Sequence, residues 1–155
     1  MKKIKLTQGK VSLIDDEDFV RVSKYKWCFN FNGYAERRES KVLGGKIVRM
    51  HRFIMSAPKD KMVDHINMKG LDNRKANLRL CTKSENMCNR NKTRVNKSGY
   101  KGVSWDSVNN KWTAQIVVGG KNIKLGRYKS AREAGVVYNN AAIIHHGEFA
   151  NLNKI

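Results

Sequence analysis

Asp64 and His65 stand side by side in the run Met62-Val63-Asp64-His65. Hydrolysis of a phosphodiester at neutral pH needs a base to take a proton from water. It also needs a divalent cation to stabilise the charge that builds on the phosphorane and on the leaving 3′-oxygen. A carboxylate and an imidazole in adjacent positions supply both functions if something rigid holds them. Successive side chains on a strand point to opposite sides, so the pair can divide the labour, Asp64 binding metal and His65 facing the scissile phosphate. A hard cation such as Mg²⁺ or Mn²⁺ prefers oxygen ligands and keeps several waters. Asn86, about one turn into a following helix, offers a second, neutral oxygen.

The positioning elements are legible around this pair. Met62–His65 reads as a short strand, Ile66 to Asn77 as a polar, turn-rich loop, and Leu78–Cys81 as a second strand. Thr82-Lys83-Ser84-Glu85 fits a capping box, so a helix is expected to start near Lys83. Upstream, residues 10–14 alternate like a strand, and Asp15 to Asp18 place acids where a helix N-terminus favours them. Trp27–Phe31, Tyr34–Arg38 and Lys46–Met50 read as further strands, with turns at Asn32-Gly33 and Gly44-Gly45. Downstream, Lys101–Asp106, Lys111–Val118 and Lys121–Arg127 read as three strands. In the middle one Trp112, Ala114, Ile116 and Val118 alternate with Thr113, Gln115 and Val117. Ser130-Ala131-Arg132-Glu133 is a second capping box, opening a helix with Ala134, Val137, Tyr138, Ala141, Ala142 and Ile144 on one face. The fold class expected is α+β.

Two families resemble these segments. Val63-Asp64-His65-Ile66-Asn67, Leu71-Asp72-Asn73-Arg74, Asn77-Leu78-Arg79, Thr82 and Glu85-Asn86 resemble the HNH endonucleases, those of phages and mobile introns above all. The resemblance implies a ββα-metal core with His65 as general base and Asp64 and Asn86 as metal ligands. It implies that Asn77 pins the loop and orients His65. Many members place a further His one turn beyond the helix ligand, where this chain has Arg90, with Asn89 nearby at a less suitable angle. One hydrated Mg²⁺ or Mn²⁺ on two protein ligands is therefore expected rather than tightly held zinc.

Residues Gly99 to Trp105, Lys111-Trp112, Leu125-Gly126, Tyr128, Ala131, Glu133-Ala134, Tyr138, Ala141-Ala142 and Gly147 to Ala150 resemble the Apetala-two/ethylene-response-factor DNA-binding domain. Such domains lay the open face of a three-stranded sheet in the major groove. Ser104, Val117 and Lys124 stand where the plant factors carry Arg, Arg and Trp, so the plant target sequence does not transfer. Strand alternation gives Lys101, Ser104, Thr113, Gln115, Lys124 and Arg127 as the DNA-facing set, while Trp105 and Trp112 read as core or stacking residues. Arg90, Lys92, Arg94 and Lys97 form a basic stretch suited to the DNA backbone.

Composition agrees with a polyanionic partner. Thirty-two Lys and Arg oppose thirteen Asp and Glu, for a formal charge of +19. Residues 1–92 hold 22 basic and 10 acidic side chains and residues 93–155 hold 10 and 3, so both parts attract phosphate. No apolar run approaches the roughly 20 residues that cross a bilayer. Three cysteines without a CxxC pair argue against a zinc knuckle or disulfide framework, and all three read as reduced packing residues. His51 reads as structural, and His145 and His146 as surface residues at a helix C-terminus.

The expected organisation is a nuclease domain over 1–92 (a β-rich part, 1–57, and the ββα-metal core, 58–92). A basic linker over 93–99 and a DNA-binding domain over 100–155 follow. The function expected is a homing-type, metal-dependent, cytoplasmic endonuclease of a bacterial or phage-infected cell, acting as a monomer that nicks double-stranded DNA. The alternative is a catalytically inactive regulator on the same scaffold.

Overall fold

The computed structural model describes residues 1–40, 42, 44–92 and 95–155. They form two compact units, Met1–Lys83 and Ser84–Ile155.

The first unit begins with a hairpin. Strands β1 (Lys2–Lys5) and β2 (Val11–Ile14) pair antiparallel, with Ile4 opposite Ser12. Three of the four β1 residues are lysine, which hides the strand in the sequence; only Ile4 of the four is buried. A single 3-10 turn over Asp16–Asp18 leads into helix α1 (Phe19–Ser23). Asp18 is buried there and accepts from Arg21 Nε at 2.9 Å and Nη2 at 2.7 Å.

A three-stranded sheet follows in the order β3 (Cys28–Phe29), β4 (Ala35–Arg38), β5 (Ile47–Arg49). The strand expected over Lys46–Met50 stops one residue early, because Met50 opens helix α2 (Met50–Ile54). Met50, His51 and Ile54 are all buried, a helical spacing that a strand could not direct to one side. Cys28 is exposed and is not the packing residue expected; Cys81 is buried. Ile4, Ile14, Val22, Trp27, Met50, Ile54, Val63 and Leu78 meet in the core of this unit.

Strands β6 (Met62–His65) and β7 (Leu78–Cys81) pair antiparallel, with Asp64 opposite Arg79 and His65 opposite Leu78. The loop between them is stitched to β2: Leu13 N donates to Leu71 O, and Asn73 N donates to Leu13 O, both at 2.8 Å. Helix α3 (Lys83–Cys88) begins at the expected residue.

In the second unit β8 (Val103–Asp106), β9 (Lys111–Val118) and β10 (Lys121–Tyr128) form an antiparallel sheet with β9 central. Helix α4 (Ala131–His146) packs over one face. The Ser130 side chain accepts from Glu133 N while Glu133 reaches back to Ser130 N, so the capping box is complete. Ala134, Gly135, Tyr138, Ala141 and Ala142 are the buried helix positions; Ile144, expected among them, is exposed. Val103, Ala114 and Ile116 are the buried strand residues beneath α4. The opposite face carries Ser104, Thr113, Gln115 and Lys124, all without a covering layer.

Candidate active site

Burial and hydrogen bonding converge on the end of β6. Asp64 and His65 keep only 7% and 5% of their surface exposed. A buried carboxylate needs a cation, and Arg79, directly across the ladder, donates from Nε (2.9 Å) and Nη2 (2.7 Å) to Asp64 Oδ2.

His65 is held from the loop side. Its Nε2 lies 3.1 Å from Asn73 Oδ1, and Asn73 is fully buried. Asn73 Nδ2 in turn donates to Ser12 Oγ at 2.7 Å. Ser12 Oγ has its own acceptors in Leu71 O (3.0 Å) and Met50 Sδ (3.3 Å). This chain of bonds directs the carboxamide oxygen, not the nitrogen, toward His65. An oxygen can only accept, so His65 carries its proton on Nε2 and its basic lone pair on Nδ1. The imidazole sits below the usual histidine range, with burial as the main cause. The bond to Asn73 and the charges of Asp64 and Asp72 pull the other way. It is neutral at pH 7 and able to accept a proton.

The Asn77 side chain bonds within the loop. Its Oδ1 accepts from Asn67 N at 2.9 Å and its Nδ2 donates to Asp72 O at 2.8 Å, closing the loop on itself. Asp72 is gripped by Arg74 through both oxygens at 2.7 Å and by Asn67 Nδ2 at 2.8 Å. These bonds, Arg74 foremost, hold its carboxyl below the ordinary range.

Four contributors were not assigned to the site from sequence. His51 on α2 is buried with its ring centroid 5.0 Å from that of His65, and Tyr34 stacks 5.7 Å from His65. Burial pushes His51 down to about 3, with the neighbouring His65 and Arg49 adding to the effect, so it stays uncharged. Gly70 lets the loop pass over Tyr34: a Cβ there would lie 2.5 Å from Gly33 O and 2.8 Å from the Tyr34 ring. Asn73 was read as part of a family motif but not as the partner of His65. Nothing local marks His51 or Tyr34; Gly70, inside a charged turn, is the only hint of close approach.

A model of the family described as HNH endonuclease matches residues 56–88, the stretch that contains β6, the loop, β7 and α3. A protein of Acanthamoeba polyphaga mimivirus, described as an uncharacterized HNH endonuclease, is 32% identical over 154 residues, covering 96% of this chain and 77% of that protein. The chain belongs to the HNH endonuclease family. It is accordingly a DNA-cleaving enzyme. Protein 3.8 of Escherichia phage T7 is 30% identical over 93 residues, 60% of this chain and 76% of that one. No solved structure matches.

The remaining expected positions of this HNH endonuclease are distributed as follows. Asp64, His65 and Asn77 lie in the first unit, and Asn86, on α3, lies in the second. Arg90 and Lys97 are exposed, and Lys92 Nζ donates to Gly99 O at 2.6 Å. Arg94 lies outside the described residues. Lys101 precedes β8, and its ammonium donates to Cys88 O at 2.5 Å, half-buried and lowered by that burial. Ser104, Thr113, Gln115, Lys124 and Arg127 share the open face of the sheet, with Ser104 and Thr113 hydroxyls 2.9 Å apart. Trp105 and Trp112 stack on each other edge to face at 5.1 Å, and Trp112 packs into the core. Among the described residues no helix is long and apolar enough to cross a membrane.

Proposed function

We propose that this enzyme hydrolyses one strand of double-stranded DNA, with His65 as general base and Asp64 and Asn86 as ligands of a divalent metal. The observation that carries the reading is the bond from His65 Nε2 to Asn73 Oδ1. It leaves Nδ1 as the basic atom of a neutral, buried imidazole beside a buried carboxylate.

The donor chemistry fits a hard cation. The Asp64 carboxylate is the hard oxygen donor that such a cation prefers, and the Asn86 carboxamide offers a neutral one. Among the described residues no three His, Cys, Asp or Glu side chains gather as a ligand set, so water must complete the coordination. When bound, Mg²⁺ or Mn²⁺ supplies charge stabilisation at the scissile phosphate and leaving oxygen. His65 takes the proton of the attacking water at Nδ1, and Asn73 keeps the ring in the tautomer that can do so. Asn77 holds the loop that carries Asn73, and His51 and Tyr34 wall the ring.

The second unit serves as the DNA-holding module, an Apetala-two/ethylene-response-factor-like domain that selects the site of a homing-type enzyme. Its uncovered sheet face and the charge of +19 support that role. Ser104, Thr113, Gln115, Lys124 and Arg127 form the reading face, and Arg90, Lys92, Arg94 and Lys97 follow the backbone. Lys101 joins them if its ammonium leaves the Cys88 carbonyl. One active site per chain agrees with a monomer that nicks.

Supercoiled plasmid tests the proposal. With Mg²⁺ or Mn²⁺ it is expected to become open circle before any linear product, and EDTA is expected to stop the reaction. Linear product as the first species, or cutting that persists in EDTA, would refute the nicking or the metal assignment respectively.

A further inference from the structure

The open face of the β8–β9–β10 sheet holds one buttressed arginine. Asp106 ends β8, and the turn into β9 fixes its carboxylate. Its Oδ1 accepts from Val108 N (3.1 Å) and Asn109 N (3.2 Å), and its Oδ2 accepts from Asn109 Nδ2 at 2.9 Å. Arg127 Nε, reaching from β10, donates to the same Oδ2 at 2.9 Å. Among the described residues neither terminal nitrogen of Arg127 has a hydrogen-bond partner, and its side chain is 53% exposed.

A β-bulge brings Arg127 to this face. Lys124 pairs with Gln115, but Gly126 pairs with Ala114, so Leu125 is the extra residue and turns into the core. Without that extra residue the alternation would send Arg127 to the α4 side. The bulge places it opposite Thr113, beside a recess of about 230 Å³ that Gln115 and Lys124 also line.

We propose that Arg127, held by Asp106, reads a guanine in the major groove through its two terminal nitrogens. The inference rests on the reading of this sheet as the DNA-holding face. A guanine presents O6 and N7 as a pair of acceptors, and a guanidinium fork matches them. A phosphate could take the same fork, but the neighbouring carboxylate argues for the base. The ion pair carries no net charge, so its pull on an anion is weak, whereas a neutral acceptor pair needs only oriented donors. The carboxylate is held well below the ordinary range, down to about 2, by Asn109 and Arg127, so the buttress stays ionised at any working pH. Lys124, opposite Gln115, remains the natural phosphate grip of the same face.

The test is selection from a randomised duplex pool by the full chain in EDTA, with Arg127→Lys, Asp106→Asn and a Gln115→Ala/Lys124→Ala pair compared with the parent. The parent is expected to require guanine at one position. Arg127→Lys keeps the charge and loses the fork, so discrimination there should fall about tenfold to a hundredfold while other positions hold. Asp106→Asn should weaken the same position yet tighten binding to random DNA and steepen its salt dependence, because a negative charge leaves the face. If Arg127→Lys leaves every position unchanged while the Gln115/Lys124 pair alters binding, Arg127 is no reader and the sheet's role stands. Uniform loss over all sequences on Arg127→Lys would make it a backbone contact and overturn the inference. If none of the variants changes binding, the sheet is not the DNA-holding face and both readings fall.

Discussion

Replacing Asn73 with alanine removes the acceptor on His65 Nε2 and the donor to Ser12 Oγ at once. Asn73 is fully buried, so the loss leaves polar atoms without water to replace it. A cost of about 1–3 kcal/mol in stability is expected for such a site. The effect on catalysis is separate. A neutral hydrogen bond that selects one tautomer is worth about 0.5–1.5 kcal/mol, which converts to a roughly two- to tenfold slower chemical step. The bond to Asn73 also opposes the effect of burial on His65, so its removal lowers the imidazole further and moves the acid limb of the pH profile to lower pH. Asn73→Asp is expected to move that limb the opposite way, because a carboxylate favours the protonated ring. Single-turnover nicking of supercoiled plasmid between pH 5 and 8, with urea unfolding of each variant alongside, reads both quantities. If Asn73→Ala cuts at the parental rate with an unmoved pH profile, Asn73 does not set the His65 tautomer.

Three further outcomes follow from the same contacts. His51 has a folded value near 3 against 6.5 unfolded. The unfolded chain therefore binds the extra proton as pH falls from 6.5 toward 3, and stability drops over that window by about 5 kcal/mol from this group. His51→Gln should flatten that part of the acid-unfolding curve, and an unchanged curve would count against the burial of a neutral ring. Arg79→Met leaves Asp64 buried without its cation and should cost about 3–5 kcal/mol in urea unfolding, part of which Asp64→Asn in the same chain restores. Ser130→Ala breaks the α4 capping box and should lower stability by about 1 kcal/mol, measured by thermal unfolding.

The parts of the fold that the sequence made legible are those with local periodicity. The alternation of β9 and the bounds of β6 and β7 could be read directly, and Thr82 and Ser130 marked where α3 and α4 begin. Elements whose reason lies elsewhere in the chain were not legible. Strand β1 is lysine-rich and exists because β2 pairs with it, and α2 is five residues long with its buried side set by the core. The site divides in the same way. Asp64 and His65 were evident from chemistry and spacing, whereas Asn73 reaches Ser12 across 61 residues and His51 comes from a different element. The bulge at Leu125 was not legible, because the run Lys121–Arg127 reads as one uninterrupted strand. It is what puts Arg127 on the face of Thr113 and Gln115, since plain alternation from Lys124 would turn it the other way.

The most direct measurement is His65→Ala in the full chain, followed by single-turnover nicking with Mg²⁺ and by duplex binding in EDTA. If His65 is the general base, nicking falls by about 10²–10⁴ while the affinity for duplex stays within about twofold. Cutting at the parental rate, or loss of binding equal to the loss of cutting, would contradict its assignment as the base.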